Sequence, residues 1–319
     1  MIKKIILLSG DPNSINSELI FKSWKKINNT LKKKIYLISN YNLINKQFRK
    51  LNYKIETIKI KSIDDKIKTN KLKILNVDLN SNKTFNISNK LASKFIKESL
   101  DLAHELASTK KGYGIINCSI DKKLLNKKNI GVTEYLSLKC GIKDKSETML
   151  IFNKELAVSP ITIHDDLRNI SKKITKKKIS IKVKIINKWY KKYYNLKPKI
   201  GILGLNPHNA ELRKNSEEQK IIVPAITDLK KMAINISGPF VADTFFIKDF
   251  KKFDVIIGMY HDQVLTPFKT LFKFNAINIT LGLPYIRISP DHGVAKDIIG
   301  KNKADTTSLI NCLKFINSL

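Results

Sequence analysis

Residues 254–300 read DVIIGMYHDQVLTPFKTLFKFNAINITLGLPYIRISPDHGVAKDIIG. The apolar run Val255–Ile257 stops at Gly258, and a turn then delivers His261, Asp262 and Gln263, with Lys269, Asn278, Arg287, Asp291 and His292 downstream. A buried strand emptying into a polar turn is the unit of a parallel sheet, and the same pattern recurs upstream. AVSPITIH ends at His164, and IGILGLNPH ends at His208. Strand-like runs at Ile2–Leu8, Ile35–Ser39, Gly114–Ile120, Thr148–Phe152, Leu156–Ile163 and Ile200–Leu205 alternate with helical patterns at Ile15–Ile27, Leu43–Leu51, Ile87–Ala107, Ile179–Tyr194 and Leu309–Ile316. That alternation predicts an α/β protein with mainly parallel sheets and helices on both faces. Residues 53–84, lysine-rich with short apolar stretches, read as edge strands and loops.

Length and composition narrow the class. The 319 residues, 42% hydrophobic and 8% aromatic, suffice for two domains with real cores. No run approaches the roughly 20 apolar residues of a membrane span, and the N-terminal MIKKIILLSGDP reads as a first strand, not a signal peptide. Cys118, Cys140 and Cys312 are odd in number and lack CxxC spacing, which speaks against a disulfide framework or thiolate metal site and for a reducing cytoplasm. The net charge of +33 invites a nucleic-acid reading. Yet of 60 basic residues only Arg49, Arg168, Arg213 and Arg287 are arginines, and the lysines are spread along the whole chain. Bidentate readers of phosphate and guanine are therefore scarce, and anionic small molecules are the sharper expectation.

The carboxyl ends of strands face the ligand crevice in doubly wound sheets. His164, His208 and His261 all fall at such ends and together would supply three imidazoles and an open position for a catalytic divalent metal. Any one of them alone is more simply a satisfied rim histidine. Asp262 and Asp243 are suited to orient an imidazole or balance the cation, and with Lys269 they are the candidate catalytic residues. Lys269, Asn278 and the scarce Arg287 suggest an anionic substrate. His104, alone on a helix, reads as structural, and His292 stays unassigned. No G-x-G-x-x-G follows any strand.

These motifs resemble a known family. Gly10-Asp11-Pro12 with Glu18, Thr133-Glu134, HDDLR at His164–Arg168, GLNPH at Gly204–His208, GPFVADTFF at Gly238–Phe246, YHDQ, NITLGLPYIR and DHGVAKD are similar to the 4-hydroxythreonine-4-phosphate dehydrogenases of vitamin B6 biosynthesis. The resemblance implies an isocitrate/isopropylmalate-dehydrogenase-like fold of two α/β/α domains, with the active site in the interdomain cleft. It divides the chain into 1–125 plus 285–319 and 126–284, and implies a homodimer with shared active sites. It further implies metal ligands His164, His208 and His261, and substrate contacts Thr133, Lys269, Asn278 and Arg287. NAD or NADP is bound without the glycine fingerprint, at residues the resemblance does not assign. The metal is a divalent ion, with zinc ahead of magnesium and cobalt. The expected reaction oxidises a phosphorylated hydroxythreonine to a beta-keto acid, which loses CO2 to give 3-amino-2-oxopropyl phosphate.

Departures from the family pattern are local. Val132 stands where the family has His, Ser119 replaces Pro, Asp121 replaces Asn, and the segment after Asn209 lacks the usual glycines. Ser14, Asn16 and Ser17 alter the opening loop. Two alternatives remain: a paralogous metal-dependent dehydrogenase acting on another hydroxy acid, phosphorylated sugar acid or cyclic diol, and a basic nucleic-acid-binding protein without catalysis.

Overall fold

The structure, a computed structural model, describes residues 3–65, 67, 69–125, 131–142 and 146–319. Lys127-Lys128 lies outside them. The chain forms two compact units, Met1–Lys145 with Leu283–Leu319, and Ser146–Gly282. The expected division at 125/126 and 284/285 differs by placing 126–145 and 283–284 with the second unit instead of the first. The helix around Thr133 thus belongs to the first unit.

In the first unit β1 (Ile5–Leu8), β2 (Ile35–Ser39), β3 (Thr57–Ile60), β4 (Leu72–Asn76), β5 (Gly114–Asn117) and a late strand, Ile286–Pro290, run in the order β3-β4-β2-β1-β5-late strand, all parallel. Every residue of β1 is buried, as a strand covered on both faces requires. One face packs on the helix Asn89–Ser108 through Ala92, Phe95, Ile96, Leu100 and Ala103. Leu106 is buried on the same face, while Leu91 and Leu102 are partly buried at its margin. β4 corrects the edge-strand reading of residues 53–84, because only β3 is at the edge. Lys73 made β4 look exposed. Its stem is buried and its ammonium lies 3.9 Å from the centre of the Tyr36 ring, donating to Lys33 O at 2.6 Å.

The second unit holds β6 (Thr148–Phe152), β7 (Ala157–Pro160), β8 (Ile200–Leu203), β9 (Ile236–Phe240), β10 (Val255–Gly258) and β11 (Ile277–Leu281), in the order β11-β6-β7-β10-β8-β9. The late strand Ile286–Pro290 is therefore β12. β7, β10, β8 and β9 are parallel, and β6 is antiparallel to both β7 and β11. Helix Lys176–Tyr194 starts where Thr175 accepts from Lys178 N and ends at Asn195 in the left-handed conformation. It buries Ile179, Val183, Ile186 and Tyr190, while Tyr193 is only partly buried. Helix His261–Phe272 follows β10 and sends Val264, Leu265 and Phe268 into a core with Ile151, Val158, Leu203 and Ile256. Among the described residues no helix is long and apolar enough to cross a membrane.

Candidate active site

Because β10 lies between β7 and β8, the three strands that precede the candidate metal histidines are immediate neighbours running the same way. His164 follows β7 and His261 opens the helix after β10, with their ring centres 6.1 Å apart. Asp262 Oδ1 lies 2.6 Å from His261 Nδ1, which leaves Nε2 as the outward nitrogen. His208 is on the next strand end, in a turn of unusual conformation. His208, Asn209, Ala210, Glu211 and Leu212 all have φ between 49° and 56°, the left-handed region, with no glycine among them.

That turn is held from both sides. Glu218, fully buried, accepts from Leu205 N and Asn206 N at 2.8 Å each, and from Asn206 Nδ2 at 3.0 Å. Burial raises the Glu218 pKa, but the Asn206 and Leu205 donors outweigh it and hold the carboxyl below its ordinary value. Asn209 Nδ2 donates to Pro239 O at 3.0 Å, and a Cβ on Gly204 would lie 2.0 Å from Asn209 Oδ1. Left-handed backbone costs an L-residue about 1–2 kcal/mol, so Glu211→Gly, exposed at φ 50°, should raise the unfolding free energy by about 1 kcal/mol. Urea unfolding of the two proteins checks this, and an unchanged or lowered midpoint contradicts it.

The other anion-binding candidates are distributed as follows. In the first unit Arg287 on β12 is buried, its Nε donating to Asn117 Oδ1 at 2.8 Å and its NH1 to Thr133 Oγ1 at 3.1 Å. Burial pushes its pKa down to about 10, with the Glu134 charge opposing the shift, so it stays cationic at neutral pH. In the second unit Asn278 on β11 has a buried Oδ1 that accepts no hydrogen bond among the described residues. Lys269 is exposed in the last turn of the helix begun by His261, about 12 Å further along its axis. Asp243 is exposed in the first turn of the helix after β9, and Asp262 is exposed beside His261. The structure therefore joins Arg287 to Thr133, and His261 to Asp262 and His164, and leaves Asp243 and Lys269 on the surface.

Three residues that act here carry no sequence signal of their role. Asn117 ends β5 and orients Arg287, Glu218 comes from the polar run KNSEEQK, and Gln263 had appeared only as part of YHDQ. Ser119, standing where the family has Pro, donates to His292 O at 2.8 Å and lies 2.9 Å from His292 Nδ1. Burial lowers the His292 pKa. His104, read as structural, has its Nδ1 3.0 Å from the Tyr285 hydroxyl.

The sequence profile of pyridoxal phosphate biosynthetic protein PdxA matches residues 29–316. The chain belongs to the PdxA family. A 4-hydroxythreonine-4-phosphate dehydrogenase of Sulfurihydrogenibium sp. is 39% identical over 319 residues, covering 98% of this chain and 97% of that protein. A solved structure of a 4-hydroxythreonine-4-phosphate dehydrogenase from Burkholderia phymatum superimposes with a TM-score of 0.81 at 25% identity, covering 100% of this chain and 98% of that one. The isocitrate dehydrogenase of Methylococcus capsulatus shares the fold, with a TM-score of 0.50 at 10% identity over 98% of this chain and 84% of that one. The expected α/β fold of isocitrate-dehydrogenase type is thereby found.

For a PdxA protein the donor set can be tested against a divalent metal. His164 and His261, with ring centres 6.1 Å apart, are two imidazoles of the kind a divalent ion takes as ligands. Among the described residues, however, no three His, Cys, Asp or Glu side chains are gathered as a ready cage. Of the three expected ligands, His164 and His261 have neighbouring rings, and His208 is not gathered with them. The reason is local: His208 projects from the left-handed turn and is exposed.

Proposed function

We propose that the protein is an NAD-dependent 4-hydroxythreonine-4-phosphate dehydrogenase of pyridoxal phosphate biosynthesis, with His164, His208 and His261 as the holders of a divalent metal. The observation that carries this reading, in a chain of this family, is that three adjacent parallel strands each deliver one imidazole at the same end. A divalent ion there supplies positive charge that eases loss of a hydroxyl proton, and NAD supplies the hydride acceptor.

The chain's own groups do the rest. Asp262 fixes His261 by taking its Nδ1 side, so that Nε2 is presented. Arg287, positioned by Asn117 and Thr133, offers a desolvated cation to a phosphate or carboxylate, and Asn278 Oδ1 offers an acceptor. Lys269 and Asp243 complete the proposed catalytic set as groups able to take or return a proton. With NAD bound, the substrate's C–H would give its hydride to the cofactor while its O–H gives a proton to a base. The resulting beta-keto acid releases CO2, leaving 3-amino-2-oxopropyl phosphate.

The proposal includes a homodimer, as the family resemblance implies. A monomer in sedimentation would count against it. Val132 in place of His supports weighing a neighbouring substrate. Purified protein given NAD and a panel of alcohols should form NADH with 4-hydroxythreonine 4-phosphate, and His208→Ala should abolish that signal. Turnover confined to another hydroxy acid, phosphorylated sugar acid or cyclic diol overturns the substrate assignment. Absence of any turnover, with steeply salt-dependent nucleic-acid binding, favours the basic binding protein instead.

A further inference from the structure

The register of β8 with β10 ends at Ile257↔Ile202, just before the turns that carry His261 and His208. Beyond that pair a side chain takes over from the main-chain ladder. Gln263 Oε1 accepts from Met259 N at 2.7 Å, and its Nε2 donates to Gly204 O at 2.7 Å. The primary amide is suited to both bonds, since one partner is an N–H and the other a carbonyl; an ionised Glu could satisfy only the first.

The stitch extends to the third strand end. Met259 O accepts from Thr162 N at 3.1 Å and Thr162 Oγ1 at 2.7 Å, two residues before His164. On the far side, Gly204 leads into Leu205 and Asn206, whose N–H groups are held by Glu218. One residue, Met259, through its N–H and its C=O, and one side-chain amide, Gln263, therefore connect the backbones that precede His164, His208 and His261. Gly258 makes room for this arrangement, because a Cβ there would lie 2.6 Å from Val264 Cγ1 and 2.9 Å from Gln263 Oε1. With Tyr260 as N-cap, Gln263 is in the first turn of its helix and reaches back past the cap, where a capping-box residue would bond the cap itself.

We propose that Gln263 is the positioning residue that sets the spacing of the His208 and His261 strand ends, and thereby the affinity of the three-histidine site for a divalent cation. The proposal rests on the metal reading given above. It concerns this chain's own hydrogen bonds, and its readout is binding, not turnover.

Cobalt(II) affinity is measured against a competing chelator for wild type, Gln263→Glu and Gln263→Leu, alongside near-UV circular dichroism of each metal-free protein. Gln263→Glu keeps the side-chain length and the bond from Met259 while losing the bond to Gly204, so it decides the matter even where the leucine variant fails to fold. Supporting positioning residues of metal ligands typically contribute about 10- to 100-fold in affinity, and a loss of that size is expected for Gln263→Glu with the metal-free spectrum retained. Wild-type binding matched by Gln263→Glu binding overturns the proposal while leaving the metal reading intact. A wild-type protein that binds no cobalt overturns both.

Discussion

Arg287→Ala should lower kcat/KM for the phosphorylated substrate by about 10²- to 10⁴-fold, the effect of removing one partner from a desolvated, hydrogen-bonded charge pair. The expectation follows from how the guanidinium is held. Asn117 takes Nε and Thr133 takes one NH1 bond, which fixes the plane of the fork, and burial removes the water that would weaken its charge. Arg287→Lys retains a cation without the fork and should recover only part of the loss. If Arg287 were instead a structural partner of Glu134, both variants would lower the unfolding midpoint while the folded fraction kept its specific activity. Steady-state kinetics with denaturant unfolding on the same samples separate the two, and kcat/KM within about tenfold of wild type contradicts a substrate role.

Glu218→Ala should cost about 2–4 kcal/mol of stability, because the half-buried N–H groups of Leu205 and Asn206 lose the acceptor they share, and Asn206 Nδ2 loses its bond to the same carboxylate. Glu218→Gln keeps an oxygen for those two donors but turns its NH2 group toward Asn206 Nδ2, donor against donor, so a smaller loss of about 1–2 kcal/mol is expected. Acid gives a second signature. The folded carboxyl has a pKa below its ordinary 4.5, so its stabilisation is complete above that value and is lost as pH falls through the folded pKa. Wild type should therefore lose more stability below about pH 4.5 than Glu218→Gln does. Parallel acid profiles for the two proteins would remove Glu218 from this role.

Much of the site was legible because its chemistry follows strands. The runs ending at His164, His208 and His261 read as buried strands from their apolar content, and parallel strands expose their carboxyl ends together. The partners of those histidines were less visible. Glu218 acts on Asn206 from 12 positions away, across a turn whose left-handed φ values no residue type announces, since glycine is absent. Gln263 was plain as part of YHDQ, but its two bonds depend on β8 lying beside β10, which the sequence does not state. Lys73 misled the reading of β4 because a lysine with its stem buried and its ammonium over a tyrosine looks, in sequence, like a solvated edge.

Crystals of the protein grown with zinc or cobalt test the central claim most directly. The account predicts one ion bound by nitrogens of His164, His208 and His261 at about 2.0–2.1 Å, with Asp262 still on His261 Nδ1. An ion held by His164 and His261 alone, with His208 remaining in solvent, or an ion bound elsewhere on the chain, would contradict it.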